Sequence, residues 1–179
     1  MFKSTNENEI ATDPDGTALQ VGERQVRGIE LGVVGAITSA WQISAGAAYM
    51  DSEITRGNQA GTSPTDGGVI QWTPEVTFTL WNTYELPIGL TLGGGVRYVD
   101  TVVRSSSTTL NLAKTAVVEM PDYWVVDAMA SYPVTPYVDV QLNVYNLLDE
   151  EYIAKLNDGG SRYFAGTPRS FRLGVNVQF

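Results

Sequence analysis

The side chains able to do chemistry in this 179-residue sequence are carboxylates, guanidinium and amino groups, phenols and indoles, because it contains no His and no Cys. These absences exclude a Cys nucleophile, a Cys/His zinc site, a Ser-His-Asp triad and a His general base. The net charge of −9 argues against a nucleic-acid binder, which needs a basic face to neutralise phosphates. We therefore predict a protein without a nucleic-acid partner.

Three segments resemble ion or phosphate loops but differ in their surroundings. Asp13–Gly16 looks like the start of a calcium loop, yet the twelfth position of that frame is Arg24 rather than Glu, so we predict a β-turn. Gly93–Gly95 lies within an alternating segment with no helix after it, which excludes a phosphate loop. Asp149–Glu151 together with Asp158 suits either a divalent cation or a solvated acidic loop, and we predict no metal there.

Alternation of apolar and polar residues dominates the sequence. From Phe171 to Phe179 every odd position is apolar and every even position is polar or Gly, which is the period of a strand with two different faces. Similar patterns predict strands at 29–37, 41–49, 72–86, 90–98, 124–134 and 137–148, and a partial strand at 2–10.

The links between these strands alternate strictly in length. Tight turns are predicted at 39–40, 87–89 and 135–136, and long polar links at 11–21, 56–71, 104–120 and 153–169. A transmembrane β-barrel has short turns on one side of the membrane and long loops on the other. The longest apolar run, at 31–37, is far shorter than the ~20 residues of a membrane-spanning helix.

The positions of the large rings indicate which solvent the apolar face meets. Trp41 and Tyr49 bracket Ile43, Ala45 and Ala47, whereas the core of a soluble sandwich would carry its rings centrally. Rings at both ends of an apolar band are typical of the two aromatic girdles of a membrane barrel. We therefore favour a barrel over a soluble β-sandwich.

Three segments resemble the TonB-dependent siderophore receptors of the bacterial outer membrane. They are Val21–Leu31 (VGERQVRGIEL), Leu142–Tyr152 (LNVYNLLDEEY) and Gly166–Arg169 (GTPR), in the order and spacing of the family's C-terminal strands. Leu148 stands where the family usually has Phe, a minor departure because both residues are large and apolar. The segments at 92–99 and 124–132 further resemble the catecholate-siderophore subgroup.

The resemblance implies an all-β, transmembrane antiparallel β-barrel. Residues 1–179 would form the last eight or so strands of a barrel of about 22 strands, with the plug domain and earlier strands lying outside this sequence. The intact protein would take up a ferric siderophore, with TonB acting through the plug, and would have outer-membrane lipid and the barrel-assembly machinery as partners. We do not expect this portion to transport by itself. The resemblance also implies transport without bond chemistry, so we expect a protein that is not an enzyme, has no catalytic residue and holds no cofactor. The alternatives are a complete eight-stranded outer-membrane barrel with a structural or adhesive role, and a soluble β-sandwich binding module.

The same resemblance suggests candidate site residues. A ferric catecholate is anionic and aromatic, so cationic side chains would pair with its charge and rings would stack on it. The candidates are Arg56, Arg97, Arg104, Lys114, Arg162 and Tyr163, and each also suits an ordinary exposed position.

Polar-face charges would line the lumen and meet the plug, or would simply be solvated by a wet interior. They are Glu30, Glu75, Arg97, Asp127, Asp139 and Arg172. The C-terminal strand resembles the signal that the assembly machinery recognises, through Arg172, Gly174, Val177 and Phe179.

Overall fold

A computed structural model describes residues 1–60, 65–106, 118–157 and 159–179. These residues form strands, turns and loops. The strands are β1 (Phe2–Thr12), β2 (Ala18–Ala36), β3 (Trp41–Arg56), β4 (Val76–Glu85), β5 (Thr91–Val99), β6 (Val102–Val103), β7 (Glu119–Met120), β8 (Tyr123–Thr135), β9 (Val138–Tyr145), β10 (Ile153–Leu156), β11 (Tyr163–Ala165) and β12 (Ser170–Val177).

Eight of the strands form one antiparallel sheet in the order β1-β2-β3-β4-β5-β8-β9-β12. Each strand pairs with the strands that precede and follow it along the chain within this sheet. The remaining strands form two short antiparallel pairs, β6–β7 and β10–β11, inside the long links. The predicted strands are confirmed, and the partial strand at 2–10 is a full strand. The two short pairs were not predicted, because strands of two to four residues have too few positions to show a period.

The link predicted at 11–21 is wrong in extent. The β1–β2 ladder runs from Phe2 opposite Gly28 to Thr12 opposite Ala18, so most of this segment is strand. Its polar residues obscured the alternation. The predicted turn after Thr12 is confirmed: the Gly16 N–H donates to the Asp13 carbonyl oxygen at 2.9 Å. Hydrogen bonds from Thr17 to the Asp15 carboxylate lower the pKa of Asp15.

Two other strand boundaries differ from the prediction for reasons of backbone conformation. β4 begins at Val76 rather than at Trp72, since Trp72 has a φ of 63° and Pro74 has no N–H to donate. β9 ends at Tyr145, because Asn146 adopts a φ of 51°. Both departures lie at the end of the sheet from which the long links leave.

Neither alternative architecture matches this sheet. A β-sandwich needs two large sheets packed face to face, whereas the described residues form one large sheet and two small strand pairs. A closed eight-stranded barrel needs β1 to pair with β12, and in the described ladders these two strands are the edges of the sheet. Both alternatives are therefore wrong.

The apolar side of the sheet is exposed rather than buried. Phe171, Leu173 and Val175 are each more than 60% exposed, and the buried apolar residues among those described are Ala11, Ile54, Val102, Val125 and Leu156. Exposed large apolar residues occur on this face in the strands from β2 to β12, and hydrocarbon is the solvent that suits such a surface. No helix in the described part of the chain is long and apolar enough to cross a membrane.

Rings concentrate at the two ends of this apolar face, as predicted. Trp41 pairs with Tyr84 at the end with short turns. At the other end Tyr98 lies opposite Trp124, with ring centroids 4.5 Å apart, and Phe78 lies 6.4 Å from Trp124. Each ring can place its apolar body in hydrocarbon, and the polar atoms of Tyr and Trp can reach the headgroup region.

Candidate functional site

The register of the ladders identifies the residues that share the face opposite the exposed rings, which we call the inner face. Residues directly opposite one another on neighbouring strands lie on the same face. Arg97 lies between Thr79 and Val125, and Asp127 lies opposite Gly95. The other predicted lumen residues in strands share this inner-face register: Glu30 opposite Ala48, Asp139 opposite Asn176, and Arg172 opposite Asn143.

Glu75 lies outside the strands, immediately before β4. Its carbonyl oxygen accepts a hydrogen bond from the Met50 N–H at 2.8 Å, which continues the β3–β4 pairing by one step. Glu75 therefore lies at the end of the sheet from which the long links leave, which we call the loop end, rather than within the wall.

A buried asparagine organises the loop end. Asn146 is 1% exposed, and its backbone N–H donates to Asp127 Oδ1 at 2.8 Å. Its side-chain amide donates to the carbonyl oxygens of Glu150 (2.9 Å) and Thr167 (3.0 Å), and its Oδ1 accepts from the Glu150 N–H (2.8 Å). This Asn146 junction ties β8, the end of β9 and the segment before β12 together, so Asp127 has a structural partner within the chain.

An ion pair continues the junction on its exposed side. The Arg169 N–H donates to Asp149 Oδ1 at 2.9 Å, and Arg169 Nη2 lies 3.4 Å from Asp149 Oδ2. The Asp149 N–H in turn donates to the Asn146 carbonyl oxygen at 2.9 Å. Two of the segments that carried the family resemblance, Leu142–Tyr152 and Gly166–Arg169, therefore meet in space and build one corner.

Aromatic packing completes this corner. The rings of Tyr123 and Tyr152 are stacked, with centroids 4.2 Å apart and an interplanar angle of 26°. Gly166 lies against the Tyr152 ring so closely that a Cβ would overlap it, and the Gly166 N–H donates to the Tyr152 carbonyl oxygen at 2.7 Å. The Gly of the GTPR segment is thus required by the close approach of backbone and ring.

Two neighbouring cavities open beside this corner and share Pro121 and Ile153 in their walls. The first cavity, of about 860 Å³, is lined by Tyr152, Tyr163 and four acidic residues. The acidic residues are Asp122, Asp149, Glu150 and Glu151. Its negative charge makes the first cavity unsuitable for an anion.

The second cavity, of about 480 Å³, is mainly apolar and aromatic. Trp72, Val99 and Tyr123 line it, together with the exposed amine of Lys155. Val99 lies opposite Tyr123, and the register of the ladders places both residues on the same face as Glu30. The second cavity therefore opens on the inner face, at the loop end of the sheet. Arg97 precedes Val99 by two residues on that face.

The predicted ligand residues are dispersed over this end of the molecule. Tyr163 lines the first cavity and is 63% exposed, and the Arg162 N–H donates to Asn157 Oδ1 at 2.9 Å. Arg56 lines a separate polar cavity of about 190 Å³, and Arg104 is buried beside β6. Lys114 lies outside the described residues.

Sequence reasoning missed three residues of the second cavity: Trp72, Tyr123 and Lys155. The sequence pattern placed Trp72 at the start of a predicted strand, whereas β4 begins four residues later. A signal was present, since Pro74 and the turn-forming residues before it argue against a strand there. No pattern in the sequence predicts that Lys155 and Trp72 line the same cavity, because 82 residues separate them.

The predicted assembly-signal residues occupy the edge strand and the segment after it. Arg172 lies opposite Asn143 and Gly174 opposite Gln141, whereas Val177 lies opposite Val138 at the end of β12. Phe179 follows the strand and is fully exposed.

Comparisons with known proteins confirm the resemblance. A family model described as TonB dependent receptor-like, beta-barrel matches residues 1–147. The catecholate siderophore receptor Fiu of Escherichia coli K12 is 37% identical over 179 residues, covering all of this chain and 23% of Fiu. The probable TonB-dependent siderophore receptor PiuA of Acinetobacter baumannii is 39% identical, covering all of this chain and 24% of PiuA.

The fold is confirmed in the same way. The crystal structure of the closed form of Fiu, a ferric-catecholate import receptor from E. coli K12, superposes with a TM-score of 0.88 at 37% identity. The match covers 99% of this chain and 24% of that one. The chain therefore spans about a quarter of the length of the relatives it matches, and its sheet corresponds to a C-terminal part of a plugged receptor barrel.

Proposed function

This chain belongs to the family of TonB-dependent receptor β-barrels, and we propose that the protein containing it is an outer-membrane receptor for the uptake of a ferric siderophore of the catecholate class. Members of this family are outer-membrane proteins of Gram-negative bacteria. We further propose that residues 1–179 supply the C-terminal strands, and that the plug and the other strands come from elsewhere in the intact protein. This portion would not transport by itself.

The observation that carries the proposal is the second cavity. It combines the rings of Trp72 and Tyr123 with the cationic Lys155, and Arg97 lies lower on the same face. Rings and cations are the groups that recognise a ligand that is both aromatic and anionic. Both named relatives are siderophore receptors, and one of them is a catecholate receptor, which supports the same ligand class.

The activity we propose is transport without bond chemistry in the ligand. The receptor binds the ferric complex at its loop end, and TonB, acting through the plug, opens a path along the lumen. The chain supplies no His or Cys for nucleophilic or general-base chemistry, and we propose that it is not an enzyme. The ligand contacts proposed from sequence, Arg56, Arg104, Lys114, Arg162 and Tyr163, would come from the loops around the mouth, with Arg97 lower in the wall.

The inner-face charges are proposed to meet the plug or the water around it. Glu30, Arg97 and Asp139 lie on a face that a wet or plugged lumen would contact, as in other large barrels. Glu75, Asp127 and Arg172 were proposed for the same role. Asp127 accepts the Asn146 N–H through Oδ1, so it would meet the plug or water through its remaining acceptor positions.

Assembly and membrane contact complete the proposal. The exposed apolar face would contact outer-membrane lipid, and the barrel-assembly machinery would recognise β12 and Phe179. The support for both lies in the alternation of β12 and in the exposed Phe171, Leu173 and Val175.

Uptake of radioactive iron tests this function. The intact receptor would be expressed in cells that lack their own ferric-catecholate receptors, with ferric dihydroxybenzoate as the probe and a TonB-deficient strain as the control. We expect uptake that depends on both the receptor and TonB. Equal uptake with and without the receptor would overturn the proposed function.

A further inference from the structure

The face of the sheet that carries the exposed rings, which we call the outer face, changes from rings to charges at the loop end. On β3, Asp51 follows Tyr49 by two residues and therefore lies on the same face. Asp100 follows Tyr98 in the same way at the end of β5, and the Tyr98 hydroxyl donates to Asp100 Oδ1 at 3.2 Å. These carboxylates mark the level at which hydrocarbon gives way to lipid headgroups.

Two cationic side chains occupy the same level on β1 and β2. Lys3 lies opposite Arg27, and Arg27 lies opposite Asp51 on its other side. One step nearer the apolar band, Ile29 lies opposite Tyr49. Lys3, Arg27 and Asp51 are all exposed, so they form the first charged row of the outer face on these three strands.

The placement of Lys3 beside Arg27 is electrostatically unfavourable. Like charges directly opposite one another in an antiparallel ladder destabilise it. The ion pairs recorded among the described residues join other side chains, so Asp51 does not neutralise Arg27 by direct contact. The row keeps one net positive charge, and an anion held between Lys3 and Arg27 would relieve their repulsion.

The side chains of this row and of the row below it surround one cavity of about 540 Å³. Its lining consists of Met1, Phe2, Lys3, Arg27, Gly28, Ile29, Tyr49 and Asp51. Ile29 and Tyr49 are 43% and 47% exposed and form an apolar part of the lining, whereas Lys3 and Arg27 form its cationic part. An amphiphile with an anionic head and an apolar chain matches both parts.

The other charges of the outer face restrict an anion to this row. Asp51 and Asp100 continue the charged level on β3 and β5, where they repel an anion. Glu53 lies opposite Gln25, one step further from the apolar band, and Glu7 and Glu23 lie opposite each other one step beyond that. Carboxylates therefore surround the Lys3–Arg27 pair on the sides away from the hydrocarbon, and the approach left to an anion is from the lipid.

We infer that Lys3 and Arg27 form a binding site for the phosphate of an anionic lipid in the outer leaflet, whose acyl chains lie along Ile29 and Tyr49. The site is continuous with the exposed apolar face, and it lies on the side of the sheet opposite the cavity that carries the proposed function. It gives the barrel a fixed lipid contact in addition to non-specific contact with hydrocarbon. The inference does not depend on the identity of the transported ligand.

Lipid binding to the intact, delipidated receptor in detergent tests the site. The probe is diphosphoryl lipid A, with binding counted by native mass spectrometry. Monophosphoryl lipid A with the same acyl chains and inorganic phosphate are the comparison ligands. The variants are Lys3→Gln, Arg27→Gln and the two combined. The matched controls are Lys3→Arg and Arg27→Lys, which keep the charge, and Asp51→Asn, which removes the neighbouring negative charge.

We expect each single variant to weaken binding of diphosphoryl lipid A about fivefold, the usual contribution of one basic side chain near an anionic headgroup. The combined variant should lose more than either single variant, and the charge-keeping controls should bind as the unmodified receptor does. Asp51→Asn should bind roughly twofold more tightly, because a repulsive charge is removed. Monophosphoryl lipid A should bind more weakly than the diphosphoryl form, and inorganic phosphate should compete poorly, because it lacks the apolar contact.

Equal affinity of the combined variant and the unmodified receptor would overturn the site. Inorganic phosphate that binds as tightly as the lipid would also overturn it, because the site would then recognise a free anion. Binding of ferric dihydroxybenzoate should be the same in all variants, so the lipid site and the proposed function succeed or fail separately. Folding is checked by the gel mobility of the unheated barrel, and if Arg27→Gln fails to fold, Lys3→Gln and Asp51→Asn decide through their opposite expected effects.

Discussion

The stacked rings of Tyr123 and Tyr152, 4.2 Å apart, join a strand of the barrel wall to a loop. Tyr123 is the first residue of β8 and lines the second cavity, whereas Tyr152 lies just before β10 and lines the first. The pair therefore forms part of the boundary between an acidic cavity and an aromatic one. Disturbing this pair should change both cavities together.

Replacement of Asn146 by Ala should be strongly destabilising. The change removes three side-chain hydrogen bonds and leaves the carbonyl oxygens of Glu150 and Thr167 without their donor. We expect a loss of about 3 kcal/mol in the free energy of unfolding, since each buried group left unsatisfied costs ~1–3 kcal/mol. The measurement is denaturant unfolding of the intact receptor in detergent, with Asn176→Ala on the exposed edge strand as the control. Equal midpoints for the two variants would contradict the structural role of the Asn146 junction.

Replacement of Gly166 by Ala should displace Tyr152. A Cβ at this position would overlap three carbon atoms of the Tyr152 ring, so the ring or the backbone must move, at a cost of about 1–3 kcal/mol. We expect faster proteolytic cleavage in the link between β9 and β12. Gly32→Ala is the control, because nothing lies within 4 Å of a Cβ there. Unchanged cleavage in Gly166→Ala would show that the ring has room to adjust.

Two adjacent glycines of β5 should respond in opposite ways to Ala. A Cβ at Gly95 would overlap the indole of Trp81, which lies on the inner face, and would come within 2.7 Å of the Leu80 carbonyl oxygen. A Cβ at Gly94 would meet only the Asp127 carbonyl oxygen at 4.0 Å. We expect Gly95→Ala to lower the free energy of unfolding by about 1–3 kcal/mol and Gly94→Ala to change it by less than about 0.5 kcal/mol. Tryptophan emission of the folded receptor should shift only in Gly95→Ala, and the same result for both variants would refute the difference.

Replacement of Phe179 by Ala should reduce assembly without reducing stability. Phe179 is fully exposed beyond β12, so its side chain supports no packing within the chain. If the assembly machinery recognises it, the amount of folded receptor in the outer membrane should fall while the unfolding midpoint of the purified protein stays the same. Phe164→Ala, in an exposed loop ring, is the control. Normal assembly of Phe179→Ala would count against the proposed signal.

The strands could be predicted from sequence because a period of two is a local property. Phe171 to Phe179 alternates perfectly, and β12 forms there in a register that extends from Ser170 opposite Tyr145 to Val177 opposite Val138. The boundaries were predicted less well at the loop end. The left-handed conformations of Trp72 and Asn146 interrupt the strands there, and of these two residue types only Asn adopts such a conformation with any frequency.

The ligand candidates were harder to predict for a related reason. Charged loop residues such as Arg56 and Arg162 are visible in the sequence, but whether they can bind one ligand together depends on whether they line the same cavity. The structure places Arg56 in a small polar cavity and leaves Arg162 apart from it. The motifs LNVYNLLDEEY and GTPR, which looked like family markers, turn out to be the parts of a corner held by Asn146 and Arg169.

The sequence by itself determined that this is an all-β chain with one face for lipid and one for a polar interior, because the alternation of side chains along a strand depends only on the neighbours in sequence. Only the tertiary structure decided where a ligand can bind. The second cavity depends on links separated by up to 82 residues, and the acidic cavity beside it takes its charge from two different links. Contacts over such separations are set by the register of the sheet and by the packing of its long links, which place Trp72, Tyr123 and Lys155 around one cavity.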